Sequence, residues 1–124
     1  MGLMTHDRLQ FECFFWMWNE YPELRRLFWG SFNDIKQVEK IIGNIGNQKR
    51  RIILSHMKSL GMVKGILDFM FFYQGVLHVI DFKVGSDKFS KEQKEFIAQV
   101  ESQGGKSYEV RTLEKFKEII QNIL

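Results

Sequence analysis

The sequence predicts an α/β fold with a central mixed sheet and helices on both faces of it. Two apolar runs of strand length, joined by Gln74-Gly75, give a hairpin signal in the middle of the chain. Helical periodicity precedes and follows this hairpin, and one more strand signal separates the last two helical segments. The order helix, strand, helix, strand, strand, helix, strand, helix is typical of α/β domains. With 124 residues, we expect residues 1–124 to form one domain.

The first helix is predicted by its cap, its stop and its apolar content. Thr5 is placed to cap it, and Pro22 ends it after Tyr21. Its Leu, Phe and Trp residues surround the helix almost completely, which predicts burial on several sides.

The stretch between this helix and the hairpin is harder to interpret. Residues 26–32 are short and aromatic enough to form a strand, and residues 33–47, rich in Asn and Gly, predict a partly mobile loop. Residues 48–60 predict a helix that Gly61 stops, with apolar residues and His56 on its inner side. We expect His56 to be a hydrogen-bonded core residue rather than a ligand.

The elements after the hairpin have clear start signals. Ser90 opens a helix that runs through about Ser102, residues 107–110 form a last strand, and Thr112 caps a final helix with one apolar face.

The hairpin places two carboxylates against each other. If it turns about Gln74-Gly75, Asp68 lies directly opposite Asp81, and Lys83 lies on the same face of its strand. A loop with an odd number of residues would instead move Asp68 to the other face. Like charges directly opposite each other destabilise a sheet, so the pair needs a proton or a cation between them.

A divalent metal ion meets that need. Hard cations such as Mg²⁺ bind one or two carboxylates together with waters and substrate phosphates, and Asp68 and Asp81 fit this pattern. Lys83 is then placed to orient a water or to stabilise developing negative charge. The alternative is structural: the aspartates cap strand ends and Lys83 is a solvated edge residue.

Two further polar residues each have a catalytic and a structural interpretation. Glu12 lies within the aromatic wall of the first helix, where it either faces the metal site or pairs with Arg8 at i, i+4. Gln93 completes a capping box with Ser90 or lies in the active site beside the lysine, and both hold only if its amide is shared. His78 has the opposite parity to the aspartates and should point away from them.

An ordered set of motifs resembles a known family. These are Gly61 to Asp68 (GMVKGILD), Asp81-Phe82-Lys83, and Ser90 to Gln93 (SKEQ), with Glu12 upstream. Together they are similar to the VRR-NUC family, the virus-type replication and repair nucleases of the PD-(D/E)xK superfamily. The resemblance covers nearly the whole chain. It departs at Leu67, where the family usually has proline, at Asp81, where glutamate is commoner, and at residues 32–34, where only Asn33 matches a frequent Pro-Asn-Gly.

The resemblance implies a fold, an activity and a set of roles. The fold is the restriction-endonuclease-like αβββαβ core, and the activity is metal-dependent hydrolysis of DNA, structure-specific for branched or junction DNA and endonucleolytic rather than exonucleolytic. A catalytically silent nucleic-acid-binding module and an RNA-cleaving enzyme remain as alternatives. The roles implied are Mg²⁺ or Mn²⁺ binding by Asp68, Asp81, the Phe82 carbonyl and Glu12, water activation by Lys83, and positioning by Gln93.

Charge is compatible with a nucleic-acid partner. The formal net charge is +3 and the pI is about 9.0. A domain this small would present a broader surface to duplex DNA as a homodimer, which we therefore expect. The alternative for each basic cluster is a solvated face. The basic residues expected to contact nucleic acid are Lys49, Arg50, Arg51, Lys64, Lys88 and Lys91.

The N-terminus and the single cysteine indicate the compartment. Cys13 has no partner for an internal disulfide, and the sequence shows neither a signal peptide nor an apolar run long enough to cross a membrane. We expect a soluble protein in the cytoplasm, with a viral or phage origin compatible with the family that it resembles.

Overall fold

The computed structural model describes residues 5–31 and 35–124, with side chains between 35 and 38 left out of the description. Its elements follow the predicted α/β order. They are α1 (His6–Glu20), a short 3₁₀ turn (Pro22–Leu24), β1 (Phe28–Gly30), α2 (Ile35–Ile42), α3 (Asn47–Ser59), β2 (Phe69–Tyr73), β3 (Val76–Phe82), α4 (Lys91–Ser102), β4 (Lys106–Val110) and α5 (Leu113–Ile123).

The sheet is mixed, as predicted. Its four strands lie in the order β1-β2-β3-β4. The first two pairs are antiparallel, whereas β4 returns parallel to β3 after the crossover through α4.

The β2–β3 hairpin has the expected two-residue loop. Gln74 and Gly75 both adopt positive φ, at 49° and 80°, as a type I′ turn requires. Tyr73 therefore pairs with Val76. This even loop fixes the face on which every later side chain of β3 lies.

Helices cover both faces of the sheet. On one face, α1 and α5 pack over an aromatic core in which Phe69 contacts Phe116 edge to face, with ring centroids 5.5 Å apart. On the other face, α4 packs over Leu67, Met70 and Val79. The two cores hold the strands that carry the aspartates from both sides.

Three expectations about the first half of the chain were wrong in part. The first helix is buried on one side only: Phe11 is 64% exposed, because Leu9, Cys13 and Met17 form its buried stripe. The segment 33–47 contains the helix α2. In α3 no residue is buried, so His56 is exposed instead of lying in a core. Residues 32–34, which match the family's Pro-Asn-Gly only at Asn33, lie outside the described residues.

Among the described residues, no helix is both long enough and apolar enough to span a lipid bilayer.

Candidate active site

Two aspartates face each other at the open end of the hairpin. The regular ladder ends with Phe69 opposite Ile80, and one residue further on, Asp68 meets Asp81. The Asp68 N–H donates to Asp81 Oδ1 at 3.2 Å, and the Phe82 N–H donates to Asp68 Oδ2 at 3.0 Å. Asp68 is 8% exposed and Asp81 1%. The predicted register is confirmed, and it places both carboxylates in a largely dehydrated site.

Lys83 joins this pair on the same face. Its Nζ lies 2.7 Å from Asp81 Oδ2, donates to Gln93 Oε1 at 3.1 Å, and lies 5.0 Å from the centroid of the Phe89 ring. A lysine that is 7% exposed is stable in such a place only when it is paired. Lys83 is therefore a buried part of the cluster, and not the solvated edge residue of the structural alternative.

Gln93 shares its amide between two tasks. Its Oε1 accepts from the Ser90 N–H at 3.1 Å, and its backbone N–H donates to Ser90 Oγ at 3.1 Å, which completes the capping box of α4. The same Oε1 accepts from Lys83, while Nε2 donates to Asp81 Oδ2 at 3.4 Å. The two interpretations of Gln93 coexist, and the start of α4 is tied directly to the carboxylates.

The pKa values of the two aspartates shift in opposite directions. Burial, and after it the charge of Asp68, raise the pKa of Asp81 to about 6, although Lys83 opposes this. Burial would also raise the pKa of Asp68, but hydrogen bonds with His6 and Asp81 outweigh it and lower that pKa below its ordinary value. The pair thus holds a proton on Asp81 more readily than an exposed aspartate would, as expected for carboxylates that share a site.

The helix α1 reaches the site through residues other than Glu12. His6 Nε2 lies 2.8 Å from Asp68 Oδ2, and Gln10 Nε2 donates to the Asp68 carbonyl oxygen at 3.4 Å. Glu12 instead accepts from Arg8 Nε at 3.2 Å, which is the alternative that the sequence left open. The structure does not bring Glu12 to the carboxylates, because it lies on another side of α1 from the stripe that faces the sheet.

Helical spacing contains the signal for His6 and Gln10. The buried stripe of α1 is Leu9, Cys13 and Met17, and extending it by one turn toward the N-terminus leads to His6, with Gln10 beside it. Glu12 is outside that stripe. The periodicity therefore indicates which polar residues of α1 approach the sheet, once the buried stripe is identified.

The basic residues proposed for nucleic acid lie on α3, in the loops at Lys64 and Lys88, and at the start of α4. Arg50 Nε pairs with Glu39 at 3.1 Å, and Lys64 Nζ pairs with Glu92 at 3.3 Å. The others are exposed: Lys49 and Arg51 in the first half of α3, and Lys88 and Lys91 around the start of α4.

Two neighbouring residues complete the description. His78 points to the opposite face from the aspartates, as its parity predicts, and its Nδ1 lies 2.9 Å from the Tyr108 hydroxyl. The Phe82 ring packs in the aromatic core, against Phe69 and Phe116, so its backbone alone borders the carboxylates.

Comparisons with known proteins support the fold. No protein-family model matches the sequence, and no curated protein matches it. A solved structure described as "VRR_NUC domain protein" superposes with a TM-score of 0.68 over 98% of this chain and 89% of that chain, at 17% sequence identity. The resemblance to VRR-NUC domains is thus confirmed at the level of the fold, a mixed four-stranded sheet with flanking helices.

Proposed function

We propose that this protein is a metal-dependent nuclease that hydrolyses phosphodiester bonds in DNA. The observation that carries the proposal is the buried pair Asp68 and Asp81 with Lys83 bonded to one of them. A structural role alone does not account for three ionisable groups in one dehydrated cluster, because each costs free energy to bury. The fold that the chain shares with a VRR_NUC domain protein supports the same activity.

The donor set fits Mg²⁺ or Mn²⁺. Asp68 and Asp81 offer carboxylate oxygens, which are the ligands that hard cations prefer. The backbone of Phe82 meets this pair through its N–H, which donates to Asp68, and its carbonyl oxygen is the third ligand of the proposal. Burial, and after it the charge of Asp68, raises the pKa of Asp81, and a bound cation would stabilise the ionised form that both disfavour. When bound, the ion supplies Lewis acidity at a phosphoryl oxygen and lowers the pKa of a coordinated water.

Lys83 and Gln93 have separate tasks in this proposal. The Lys83 ammonium has three N–H donors, and the described residues supply acceptors in Asp81 and Gln93. Its remaining donor orients the attacking water or binds a phosphoryl oxygen as negative charge develops. Gln93 is a positioning residue, because its shared amide holds the lysine against Asp81.

The proposed substrate is branched or junction DNA, cut endonucleolytically by a homodimer. Basic residues on α3 and at the start of α4 are compatible with contacts to a DNA backbone. Phe11 and Phe15, stacked with centroids 5.6 Å apart on the open side of α1, leave apolar surface available for a second copy. Sedimentation that shows only monomers on DNA would remove the dimer and leave the chemistry unaffected.

A cleavage assay tests the proposal. The protein is incubated with linear, flapped and four-way-junction DNA, and with matched RNA, in Mg²⁺, Mn²⁺ or EDTA. We expect cleavage of branched DNA that requires metal and falls by about 100-fold or more in Lys83→Ala and Asp81→Asn. Lys115→Ala, on α5 across the sheet, is the control and should retain full activity.

Each rival function has its own outcome in this assay. Cleavage of RNA alone would assign the protein to ribonucleic substrates. DNA binding that is unaffected by EDTA, without cleavage in any metal, would identify a binding module. Cleavage that survives in both variants would show that the aspartate and lysine cluster is not the active site.

A further inference from the structure

A cleft lies on the face of the sheet opposite to the aspartates, between the turn end of the hairpin and α5. Its volume is about 650 Å³, within the range of about 300–1,000 Å³ that is typical of small-molecule sites. We propose that this cleft binds a nucleoside monophosphate, with the base against its aromatic wall and the phosphate on Lys106. The inference does not depend on the proposed nuclease activity.

Three rings from neighbouring strands form the sheet side of the cleft. Tyr73 belongs to β2, His78 to β3 and Tyr108 to β4. The His78 and Tyr108 rings are stacked, with centroids 5.8 Å apart and planes 26° from parallel. Phe71, which is fully buried, lies on the other side of His78 with centroids 5.9 Å apart. A fixed aromatic wall of this kind suits a planar heterocycle, because every nucleobase has an apolar face that can stack on a ring.

The α5 side of the cleft is apolar and carries an amide. Ile119 and Ile123 supply the apolar surface, and Asn122 lies between them on the helix. Gln74, in the hairpin turn, adds a second amide. Each amide has two N–H donors and a carbonyl acceptor, which can pair with the polar edge of a base while its faces contact apolar atoms.

His78 presents one ring nitrogen to the cleft. The residue is 6% exposed, and its hydrogen-bond partner in the described part of the chain is the Tyr108 hydroxyl, 2.9 Å from Nδ1. Every fully buried polar side-chain atom of the described residues has a partner, so Nε2 is accessible from the cleft. Burial, and after it the charge of Lys106, lower the pKa of His78, and a neutral imidazole can bond a base through this nitrogen.

Lys106 gives the cleft its unpaired positive charge. This exposed residue begins β4 and forms no ion pair with any described residue. The other charged side chains of the cleft are paired: Glu109 lies 3.1 Å from Arg111, and Lys115 lies 3.8 Å from Glu118. A lysine ammonium is a common phosphate binder, so the ligand that matches both the rings and this charge is a base joined to a phosphate.

An NMR titration of the full chain with adenosine monophosphate tests the proposal. It is run in EDTA, and the three histidines of the chain serve as reporters. We expect the ring resonances of His78 to shift, with a dissociation constant on the order of 10–100 µM. Those of His6, beside Asp68, and of His56, on α3, should not shift. Adenosine and inorganic phosphate, which each carry one half of the ligand, should bind at least about tenfold more weakly.

Two variants separate the phosphate contact from the ring contact. Lys106→Ala should weaken adenosine monophosphate by about tenfold and leave adenosine unaffected, because only the phosphate contact is lost. Tyr108→Leu should weaken both ligands by about tenfold, because stacking is lost. Lys91→Ala removes the same charge on the other face of the sheet and should change neither affinity. Thermal unfolding checks that each variant is folded.

Each contrary outcome overturns the proposal in a distinct way. A shift at His6 instead of His78 would place the phosphate beside the carboxylates, and equal affinity for inorganic phosphate would leave an anion site only. Resonances of His78 that change with protein concentration, without ligand, would show that a second copy covers the cleft. Absence of any shift in the wild type would remove the site, and that result needs no variant. None of these results affects the cleavage assay.

Discussion

The raised pKa of Asp81 makes the stability of the folded protein depend on pH. Burial and the Asp68 charge raise this pKa to about 6, above the ordinary value near 3.9. The folded protein therefore holds a proton on Asp81 across a pH range in which the unfolded chain has lost it. The stability that this proton contributes is present at low pH and disappears as the pH rises through about 6.

The first prediction concerns the loss of folding stability as the pH rises. In EDTA, the wild type should lose about 1 kcal/mol more unfolding free energy between pH 5 and pH 7 than Asp81→Asn does. Scanning calorimetry at the two pH values measures this, as a difference of about 3–6 °C in the change of Tm. The comparison with Asp81→Asn is needed because other groups titrate in the same range. His6, whose pKa the Asp68 hydrogen bond raises, acts in the same direction, and His78, whose pKa burial lowers, acts in the opposite one.

A bound metal ion should oppose this loss of stability with rising pH. Because an ion at the carboxylates competes with the Asp81 proton, the increase in Tm produced by Mn²⁺ should be larger at pH 7 than at pH 5. Equal pH slopes for the wild type and Asp81→Asn in EDTA would contradict the raised pKa, and with it the electrostatic argument for a cation.

At the scale of elements, the site depends on how closely the segment before β2 approaches α4. A Cβ added to Gly65, which has a φ of +85°, would lie 2.5 Å from the Glu92 carbonyl carbon and oxygen in the first turn of α4. Such a contact with backbone cannot relax without moving the helix. Gln93 follows Glu92 directly, so this packing also sets the distance between Gln93 and Lys83.

The second prediction tests that packing. Gly65→Ala should lower the unfolding free energy by about 2–4 kcal/mol, from backbone strain together with the clash, and should reduce cleavage further than its stability loss explains. Gly61→Ala is a matched control, because Gly61 also has positive φ, at +101°, but open space around its Cβ position. It should cost only about 1 kcal/mol. Chemical denaturation of the two variants measures the difference, and equal losses would show that the contact with α4 is unimportant.

The elements that could be predicted from sequence are those fixed by local chemistry. The two-residue turn at Gln74-Gly75 determines the register of β3, so the juxtaposition of Asp68 and Asp81 follows from the turn and the pairing rule alone. Caps such as Thr5 and Ser90 likewise set the starts of α1 and α4, since each hydroxyl accepts a backbone N–H three residues later.

The parts that could not be predicted depend on tertiary contacts. The sequence does not predict α2, because the Asn and Gly residues around Gly43 and Gly46 lower the mean helix propensity of a short sequence window that includes it. The aromatic wall of α1 gave no indication that Phe11 stays exposed, since exposure depends on which elements cover the helix. Glu12 is the residue of α1 that its aromatic surroundings and the family resemblance indicate, and only the packing of α1 shows that His6 faces Asp68 instead.

For the whole molecule, the distribution of charge matters more than its total. A net charge of +3 is modest, but Lys88 and Lys91 lie in the loop and first turn that also supply Phe89 and Gln93 to the site. Lys115 lies on α5, on the opposite face of the sheet, and is 53% exposed. If DNA approaches the carboxylates, its backbone should pass the first two lysines and not the third.

The third prediction uses the salt dependence of DNA binding. Each lysine that neutralises a phosphate contributes about 0.9 to the slope of log affinity against log salt. Lys88→Ala and Lys91→Ala should each reduce that slope by about this amount and weaken binding similarly for all DNA sequences, because phosphate contacts carry no sequence information. Lys115→Ala removes the same charge and should leave the slope unchanged.

Fluorescence anisotropy with a junction substrate measures the binding, in Ca²⁺, an oxygen-binding ion that limits cleavage. Equal slopes in all three variants would show that DNA contacts neither Lys88 nor Lys91. A reduced slope in Lys115→Ala alone would show that DNA binds the opposite face of the sheet, away from Asp68 and Asp81.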